Sequence, residues 1–286
     1  MATVYEIITE RILEQVEEGT VAWRKPWNGQ AGMPKNLVSD KAYRGINVFL
    51  LHCLGYESPY FVTFKQAKQL GGQVRKGEKG CPIVFWRWPT EAQRTEAAAE
   101  GKEAFPIVRY YTAFNVAQCD DIDVPAIDVP EREHEPLEAA ESIVEGMPQR
   151  PTIEHGFTGA SYSPTDDTVR MPKPERFEVG EGYYATLFHE LTHATGHSSR
   201  LDRKLDTKRA AFGSDNYSRE ELVAEMGSAF LCGSAGILDS QVDRSASYIE
   251  GWLKSLRNDR RLVVTAAAQA QKASDFILDR DRSVSQ

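Results

Sequence analysis

Apolar residues recur every three or four positions from Val4 to Glu18, which predicts an amphipathic helix that Gly19 ends. Further helices are predicted over 48–54, 61–72 (with Thr63 as a possible cap and the two glycines at its end), 137–145, 177–195, 218–231, 247–260 and 261–278. Residues that favour β-structure predict strands at 82–88 and 106–116 and a hairpin within 152–171. The polar segment 89–104 predicts a mobile hairpin loop between the first two of these strands. Helices and strands in separate groups predict an α+β fold.

A proline-bearing acidic segment separates two groups of elements. Residues 121–136 have this composition and predict an inter-domain linker. We therefore expect a small α+β domain at 1–120 and a second domain at 137–286, which the chain length of 286 residues allows.

Charge is distributed unevenly between these two domains. The chain carries a net charge of −8, yet the segment from Trp23 to Trp88 has eleven basic and three acidic residues. A basic segment beside an acidic remainder predicts a module that binds a polyanion such as nucleic acid.

Aromatic and basic residues within this segment could stack on bases and neutralise phosphates. The two tryptophans of Trp23-Arg24-Lys25-Pro26-Trp27 could equally anchor a hydrophobic core, and Arg75 to Lys79 could be a solvated turn. Asn47 is also a candidate N-cap. The residues predicted to bind nucleic acid are Trp23, Arg24, Lys25, Trp27, Arg44, Asn47, Lys65, Arg75, Lys76 and Lys79. By strand alternation, one sheet face also offers Phe85, Arg87, Arg109 and Tyr111.

The strongest chemical signal is H-E-x-x-H at His189, Glu190 and His193. Positions i and i+4 of a helix share a face, so two imidazoles can hold one metal ion from successive turns. Glu190 is predicted to be the general base that deprotonates a water activated by the metal. Three of the six histidines fall between His189 and His197. This concentration favours a metal site over a core helix with two hydrogen-bonded histidines. We expect zinc (Zn2+), with another divalent ion such as Mn2+ as the alternative.

A catalytic zinc usually has three protein ligands, so a third is expected downstream. The spacing E-x-x-A-E at Glu221 and Glu225 resembles that of zincins whose third ligand is glutamate. Glu221 is therefore the predicted ligand, and Glu225 is predicted to hydrogen-bond a ligand histidine. Glu221 also fits a capping box with Ser218, which leaves Glu225 as an alternative ligand. His197 is a further alternative, although the longer H-E-x-x-H-x-x-G-x-x-H pattern places its third histidine at Ser199.

A peptidase centre also needs an oxyanion stabiliser and a substrate-binding strand. Candidates for the oxyanion stabiliser are Tyr183, Tyr217 and His197. The strand before the H-E-x-x-H helix is expected to be an edge strand with which an extended substrate could pair.

The remaining features predict a cytoplasmic protein. The four cysteines are widely spaced, which indicates reduced thiols. The N-terminus lacks the charged and apolar regions of a signal peptide. No apolar run approaches the ~18 residues of a membrane span, so no membrane partner is expected.

The combined motifs resemble the ArdC-type antirestriction proteins. The resemblance rests on Trp23-Arg24-Lys25-Pro26-Trp27, Tyr43-Arg44-Gly45-Ile46-Asn47, Phe64-Lys65-Gln66-Ala67, Arg75-Lys76-Gly77-Glu78, the segment His189 to His197, and Glu221 to Glu225. It extends from about residue 4 to about residue 278. It implies a single-stranded-DNA-binding domain followed by a zincin-like metallopeptidase domain of the gluzincin type. It also implies a role on conjugative plasmids, protecting incoming DNA from the recipient's restriction system.

Three functions remain open. The first is a DNA-tethered zinc peptidase that acts on a protein substrate in the host restriction pathway. The second is a shield that binds single-stranded DNA and has a non-catalytic metal site. The third is a cytoplasmic zinc protease without a DNA role, whose basic domain recognises another protein or a membrane surface.

Overall fold

The computed structural model describes residues 3–24, 33–87, 89–99, 101–102, 107–125, 136–204, 215–237 and 246–280. The described N-terminal half contains α1 (Val4–Glu17), β1 (Lys35–Asn36), α2 (Ile46–His52), β2 (Tyr60–Thr63), α3 (Phe64–Gln69), β3 (Gln73–Val74), β4 (Cys81–Arg87), α4 (Glu91–Ala99), β5 (Ile107–Asn115) and β6 (Cys119–Asp120). The described C-terminal half contains α5 (Pro136–Gly146), β7 (Thr152–His155), β8 (Ser161–Ser163), β9 (Thr168–Met171), α6 (Gly180–Ala194), α7 (Asp215–Ala235), α8 (Ala246–Asn258) and α9 (Leu262–Ile277). The predicted α+β fold is confirmed.

The main sheet of the N-terminal half has the strand order β1-β2-β5-β4. Strand β1 runs parallel to β2, and the other neighbouring pairs are antiparallel. Between β2 and α3, Thr63 accepts a hydrogen bond from Gln66 N, and the Gln66 side chain accepts one from Thr63 N. With this reciprocal cap, the strand ends at Thr63 and the helix begins directly after it. Strands β3 and β6 form a separate antiparallel pair.

The sheet of the C-terminal half has the order β7-β9-β8. The predicted hairpin is formed by β8 and β9, and Asp167 in its turn has a φ of 49°. Strand β9, the last strand before α6, lies in the middle of this sheet and pairs on both sides. The prediction of an edge strand before the H-E-x-x-H helix is therefore wrong, because the edges are β7 and β8.

Three local predictions also differ from the structure. Residues 91–99 form helix α4 rather than a loop, and none of its residues is buried. Helix α2 has its N-cap at Gly45, so Asn47 lies in the first turn and is not the cap. Helix α7 begins at Asp215, so Ser218 lies within the helix rather than at its N-cap. The competing capping role of Glu221 is thereby removed.

The two halves share one hydrophobic cluster. Its N-terminal members come from α1, residues 21–23, α2 and the main sheet, and its C-terminal members come from α7, α8 and α9. Phe49 of α2 and Phe230 of α7 stack at its centre, with 4.7 Å between ring centroids. A second cluster joins α5, the β7-β9-β8 sheet and α6 with the end of α7. Helix α7 therefore contributes to both clusters and connects the two halves.

Polar contacts cross between the halves beside the shared cluster. Arg44, just before α2, forms an ion pair with Asp275 of α9. The backbone N–H of Gly45 donates to Gln271, with 3.0 Å between Gly45 N and Gln271 Oε1. Residues 126–135 of the predicted linker lie outside the described residues.

Candidate metal centre

Helix α6 holds the imidazoles of His189 and His193 side by side. Leu187, Phe188 and Leu191 bury the other sides of this helix in the second hydrophobic cluster. The two histidines are one turn apart on the remaining face, and their Nε2 atoms lie 3.1 Å from each other.

Glu221 reaches the same point from α7. Its Oε2 lies 3.5 Å from His189 Nε2, and its Oε1 lies 3.6 Å from His193 Nε2. Helix α7 approaches α6 closely at Gly227, where a Cβ atom would lie 2.4 Å from Thr192 Cγ2. A hydrogen bond from Ser228 Oγ to Ala185 O, at 2.8 Å, also joins the two helices.

The spacing of these three side chains fits a divalent cation. Two ligands on a tetrahedral ion, each at about 2.1 Å from it, lie about 3.4 Å apart. The three measured separations, 3.1, 3.5 and 3.6 Å, are close to this value. Two imidazoles and one carboxylate are also the ligand set of known three-ligand zinc sites.

Glu190 lies beside the first histidine and is 8% exposed. No hydrogen bond or ion pair engages its carboxylate among the residues that the structure describes. A carboxylate without a partner next to a metal site is available to exchange a proton.

His193 is held from its other ring nitrogen by a residue that the sequence did not suggest. Glu220 Oε1 lies 3.3 Å from His193 Nδ1. The Glu220 carboxylate is in turn bound by Arg203, with 2.6 Å between Arg203 Nη2 and Glu220 Oε1 and 3.2 Å between Nε and Oε2. Local spacing could not reveal this group, because Arg203 and Glu220 lie on opposite sides of the 205–214 segment.

These contacts shift the pKa values of both groups. Burial lowers the pKa of His193, but the hydrogen bond to Glu220 and the charges of Glu190, Glu220 and Glu221 outweigh it and raise the pKa overall. Burial raises the pKa of Glu220, but hydrogen bonds from His193 and Arg203 outweigh it and lower the pKa overall.

The structure places Glu225 elsewhere. Its Oε2 accepts a hydrogen bond from Trp23 Nε1 at 2.8 Å. It does not belong to the group of ligating atoms that lie within 4.8 Å of one another, which in the described residues is His189, His193 and Glu221. The predicted contact with a ligand histidine is made by Glu220 instead.

The other candidates near the centre have local partners. His197 Nδ1 lies 2.8 Å from Ser199 Oγ, and His197 is absent from the ligand group found in the described part of the chain. The Tyr183 hydroxyl lies 2.8 Å from His155 Nε2. The side chain of Tyr217 lies outside the described residues.

The prediction that Trp23 stacks on a base is wrong. Its side chain is 2% exposed, and its ring packs edge-on against Trp252 with 5.7 Å between centroids. Neither face of the indole ring is available to a ligand. The structure supports the alternative interpretation, in which Trp23 anchors the hydrophobic core.

Three further candidates have structural partners. Asn47 donates to Val84 O at 2.8 Å and accepts from Val84 N at 2.7 Å, which fixes α2 against β4. Arg44 is paired with Asp275. Arg75 donates to Ala117 O at 2.6 Å and pairs with Glu78. Asn47 is thereby explained by packing, whereas Arg44 and Arg75 keep partly exposed side chains.

The remaining candidates for DNA binding are either exposed or lie outside the described residues. Lys65, Lys76 and Lys79 are exposed. Lys25, Trp27 and the side chain of Arg24 lie outside the described residues.

One face of the β4–β5 pair is exposed and combines aromatic with basic side chains. The register pairs Phe85 with Arg109, Arg87 with Ile107 and Tyr111 with Ile83, so these side chains share a face, on which Ile83 is buried and the others are exposed. Phe85 and Tyr111 are exposed and meet edge-on with 5.8 Å between centroids. We call Phe85, Arg87, Arg109 and Tyr111 the outer face of β4–β5.

Two family profiles match separate parts of the chain. Residues 2–114 match the N-terminal domain of the anti-restriction factor ArdC, and residues 138–269 match a zincin-like metallopeptidase. These matches define the class of protein: an ArdC-type N-terminal domain followed by a zincin-like domain. A zincin-like domain with the ligand set His189, His193 and Glu221 indicates a divalent-metal site.

Relatives of similar length extend this similarity over nearly the whole chain. The metal-free crystal structure of the antirestriction ArdC protein from plasmid R388 matches with a TM-score of 0.75 and 39% identity over 98% of each chain. Its Mn(II)-bound structure matches with a TM-score of 0.75 and 38% identity over 99% of this chain and 100% of that chain. Protein y4eC of Sinorhizobium fredii is 36% identical over 96% of this chain and 91% of the relative. The chain belongs to the ArdC antirestriction family.

Two larger relatives contain a similar region. Two Escherichia coli proteins named DNA primase TraC are 37% and 36% identical over 96% of this chain. The chain spans only 27% and 20% of their length, so the similarity concerns one part of each. In the described portion of this chain, each helix is too short or too polar to cross a bilayer.

Proposed function

We propose that the protein binds single-stranded DNA and carries a zinc-dependent peptidase centre, and that it protects incoming plasmid DNA from host restriction during conjugation. The observation that carries the peptidase part is the convergence of His189, His193 and Glu221 beside the buried carboxylate of Glu190, which makes no hydrogen bond or ion pair with another described residue. The proposed substrate is a protein of the host restriction pathway, and the proposed location is the cytoplasm.

His189, His193 and Glu221 would hold the cation, for which zinc is our first candidate. The Mn(II)-bound form of the R388 relative makes Mn2+ the alternative. A bound divalent ion would act as a Lewis acid and would lower the pKa of water toward neutrality. Glu190 accepts a proton on its carboxylate and returns it to the leaving amine.

The outer face of β4–β5 is the proposed contact for single-stranded DNA. Bases stack on exposed aromatic side chains, and Arg87 and Arg109 can neutralise phosphates beside them. Lys65, Lys76 and Lys79 are exposed in the same half and would extend the attraction for the DNA backbone. The proposal also retains Arg24, Lys25, Trp27, Arg44 and Arg75 as contacts to be tested.

The test is a double measurement on Glu190→Gln, which keeps the size of the side chain and removes its capacity to accept a proton. We expect unchanged binding of Mn2+ and single-stranded DNA and loss of protection in mating assays. Glu181→Gln removes a glutamate from the same helix and should retain all three properties. Full protection by a folded Glu190→Gln protein would contradict the peptidase part of the proposal.

The second candidate is a DNA shield with a non-catalytic metal site. It is favoured by the outer face of β4–β5, which is formed by strands that supply no metal ligand. This candidate predicts that Phe85→Ala abolishes protection while Glu190→Gln retains it. Absence of single-stranded-DNA binding at low salt would contradict both candidates and favour a protease without a DNA role.

A further inference from the structure

Two arginines follow α6 at an interval of three residues, and both side chains are nearly inaccessible. The side chain of Arg200 is 1% exposed and that of Arg203 is 7% exposed. Arg200 binds Asp167 through both terminal nitrogens, at 2.8 and 2.9 Å. Arg203 binds both oxygens of Glu220, at 2.6 and 3.2 Å. The same loop thus makes two bidentate pairs, but only the second leads to the metal centre.

The carboxylate of Glu220 fixes the orientation of a metal ligand. Its Oε1 lies 3.3 Å from His193 Nδ1. Since a carboxylate only accepts hydrogen bonds, Nδ1 must donate. In the neutral ring, the lone pair then lies on Nε2, which is the atom 3.1 Å from His189 Nε2 and 3.6 Å from Glu221 Oε1.

Arg203 fixes Glu220 relative to the helix that carries His193. Its Nη1 donates to Thr195 Oγ1 at 2.6 Å, and its Nη2 donates to Thr192 O at 2.8 Å. One guanidinium therefore contacts the end of α6 and the start of α7 at once. A planar group with several donors in fixed directions restricts the carboxylate more than a single ion pair would.

We propose that Glu220, held by Arg203, is a positioning residue that sets the tautomer and orientation of His193 and thereby the affinity of the centre for divalent metal. This inference rests on the proposed metal site. It extends that site by two residues that contribute no ligand atom to the three-residue group. Partners of this kind commonly change metal affinity by about 10–100-fold when they are removed.

The test measures Mn2+ affinity of the full chain by titration with electron paramagnetic resonance of the free ion. Glu220→Ala should weaken binding about 10–100-fold. Glu220→Gln should give an intermediate loss, because the amide oxygen still accepts from Nδ1 but no longer pairs with the Arg203 charge. Arg203→Lys should also be intermediate, because lysine keeps the charge and loses the bidentate contact. The folded fraction of each variant is measured by circular dichroism.

Arg200→Lys is the matched control, since it disturbs an equally buried arginine in the same loop. It should lower the melting temperature and leave Mn2+ affinity within about threefold of the unaltered chain. Equal weakening by Arg200→Lys would overturn the inference, because the effect would then reflect general loosening of the loop. Unchanged affinity in Glu220→Ala would also overturn it. If Glu220→Ala does not fold, unchanged Mn2+ affinity in the isosteric Glu220→Gln would overturn the inference instead. A lack of Mn2+ and Zn2+ binding by the unaltered chain would instead contradict the metal site itself.

Discussion

Trp23 donates its indole N–H to the carboxylate of Glu225, with 2.8 Å between Nε1 and Oε2. Glu225 lies one helical turn after Glu221 on α7. The hydrogen bond therefore connects the N-terminal half directly to the helix that supplies the predicted third metal ligand. Since the Trp23 ring is buried against Trp252, we expect this residue to stabilise the packing of the two halves rather than to contact DNA.

Trp23→Phe tests this structural role. The variant keeps an aromatic ring in the core and removes the donor to Glu225, so we expect the free energy of unfolding to fall by about 1–3 kcal/mol. Denaturant titration measures this loss. Affinity for single-stranded DNA, corrected for the folded fraction, should not change. A fully folded Trp23→Phe protein with weakened DNA binding would contradict the structural assignment.

Tyr111→Ala tests the outer face of β4–β5, and Tyr110→Ala is its matched control. The two tyrosines are neighbours on β5 and are similarly exposed, at 45% and 47%, but they point to opposite faces. Loss of a stacking ring should cost about 1–3 kcal/mol of binding free energy for Tyr111→Ala. Fluorescence anisotropy with a labelled oligonucleotide measures the affinity. If Tyr110→Ala weakens binding as much as Tyr111→Ala, the proposed face is wrong.

Periodicity predicts the elements that bury an apolar face, but it does not predict α4. Helices α1 and α6 carry regular apolar positions, and β4 and β5 are rich in residues that favour strands. Helix α4 is polar and none of its residues is buried, so it contributes no apolar face to a core. Its helical conformation agrees instead with the high intrinsic helix propensity of alanine and glutamate.

The candidate site also contains some contacts that local spacing predicts and others that depend on tertiary packing. His189 and His193 are four residues apart, so helical geometry alone predicts their proximity. The pairing of Arg203 with Glu220 and of Trp23 with Glu225 depends on how α6, α7 and the N-terminal half pack together. Such contacts have no spacing rule in a single sequence. Sequence spacing alone therefore predicts Glu225 for the contact that Glu220 makes.

Asp167 should make stability depend on pH in the acid range. Burial raises its pKa, but hydrogen bonds from Arg200 and Tyr162 and the charge of Arg200 outweigh this effect, so the pKa lies below its usual 3.8. The charged form is therefore favoured by folding. Its stabilisation is complete above pH 3.8 and is lost as the pH falls through the lower pKa of the folded state.

Asp167→Asn isolates this contribution, because asparagine tolerates the positive φ of this position. The variant should be less stable than the unaltered chain near neutral pH. The difference in free energy of unfolding should shrink as the pH is lowered below 3.8. Denaturant titrations of both proteins across this range measure it. A difference that is constant with pH would show that the charge of Asp167 does not stabilise the fold.

Gly227→Ala should disturb the metal centre by separating the helices that form it. The added Cβ would lie 2.4 Å from Thr192 Cγ2, and Thr192 is fully buried one residue before His193. Overpacking of this kind typically costs about 1–3 kcal/mol. Because Glu221 and the histidines are on opposite sides of this contact, the shift should also weaken Mn2+ binding. Gly251→Ala in α8 is the control, since its Cβ would meet no atom within 4 Å. This control should leave Mn2+ affinity unchanged. If Gly227→Ala also leaves it unchanged, the close approach of α6 and α7 does not set the geometry of the centre.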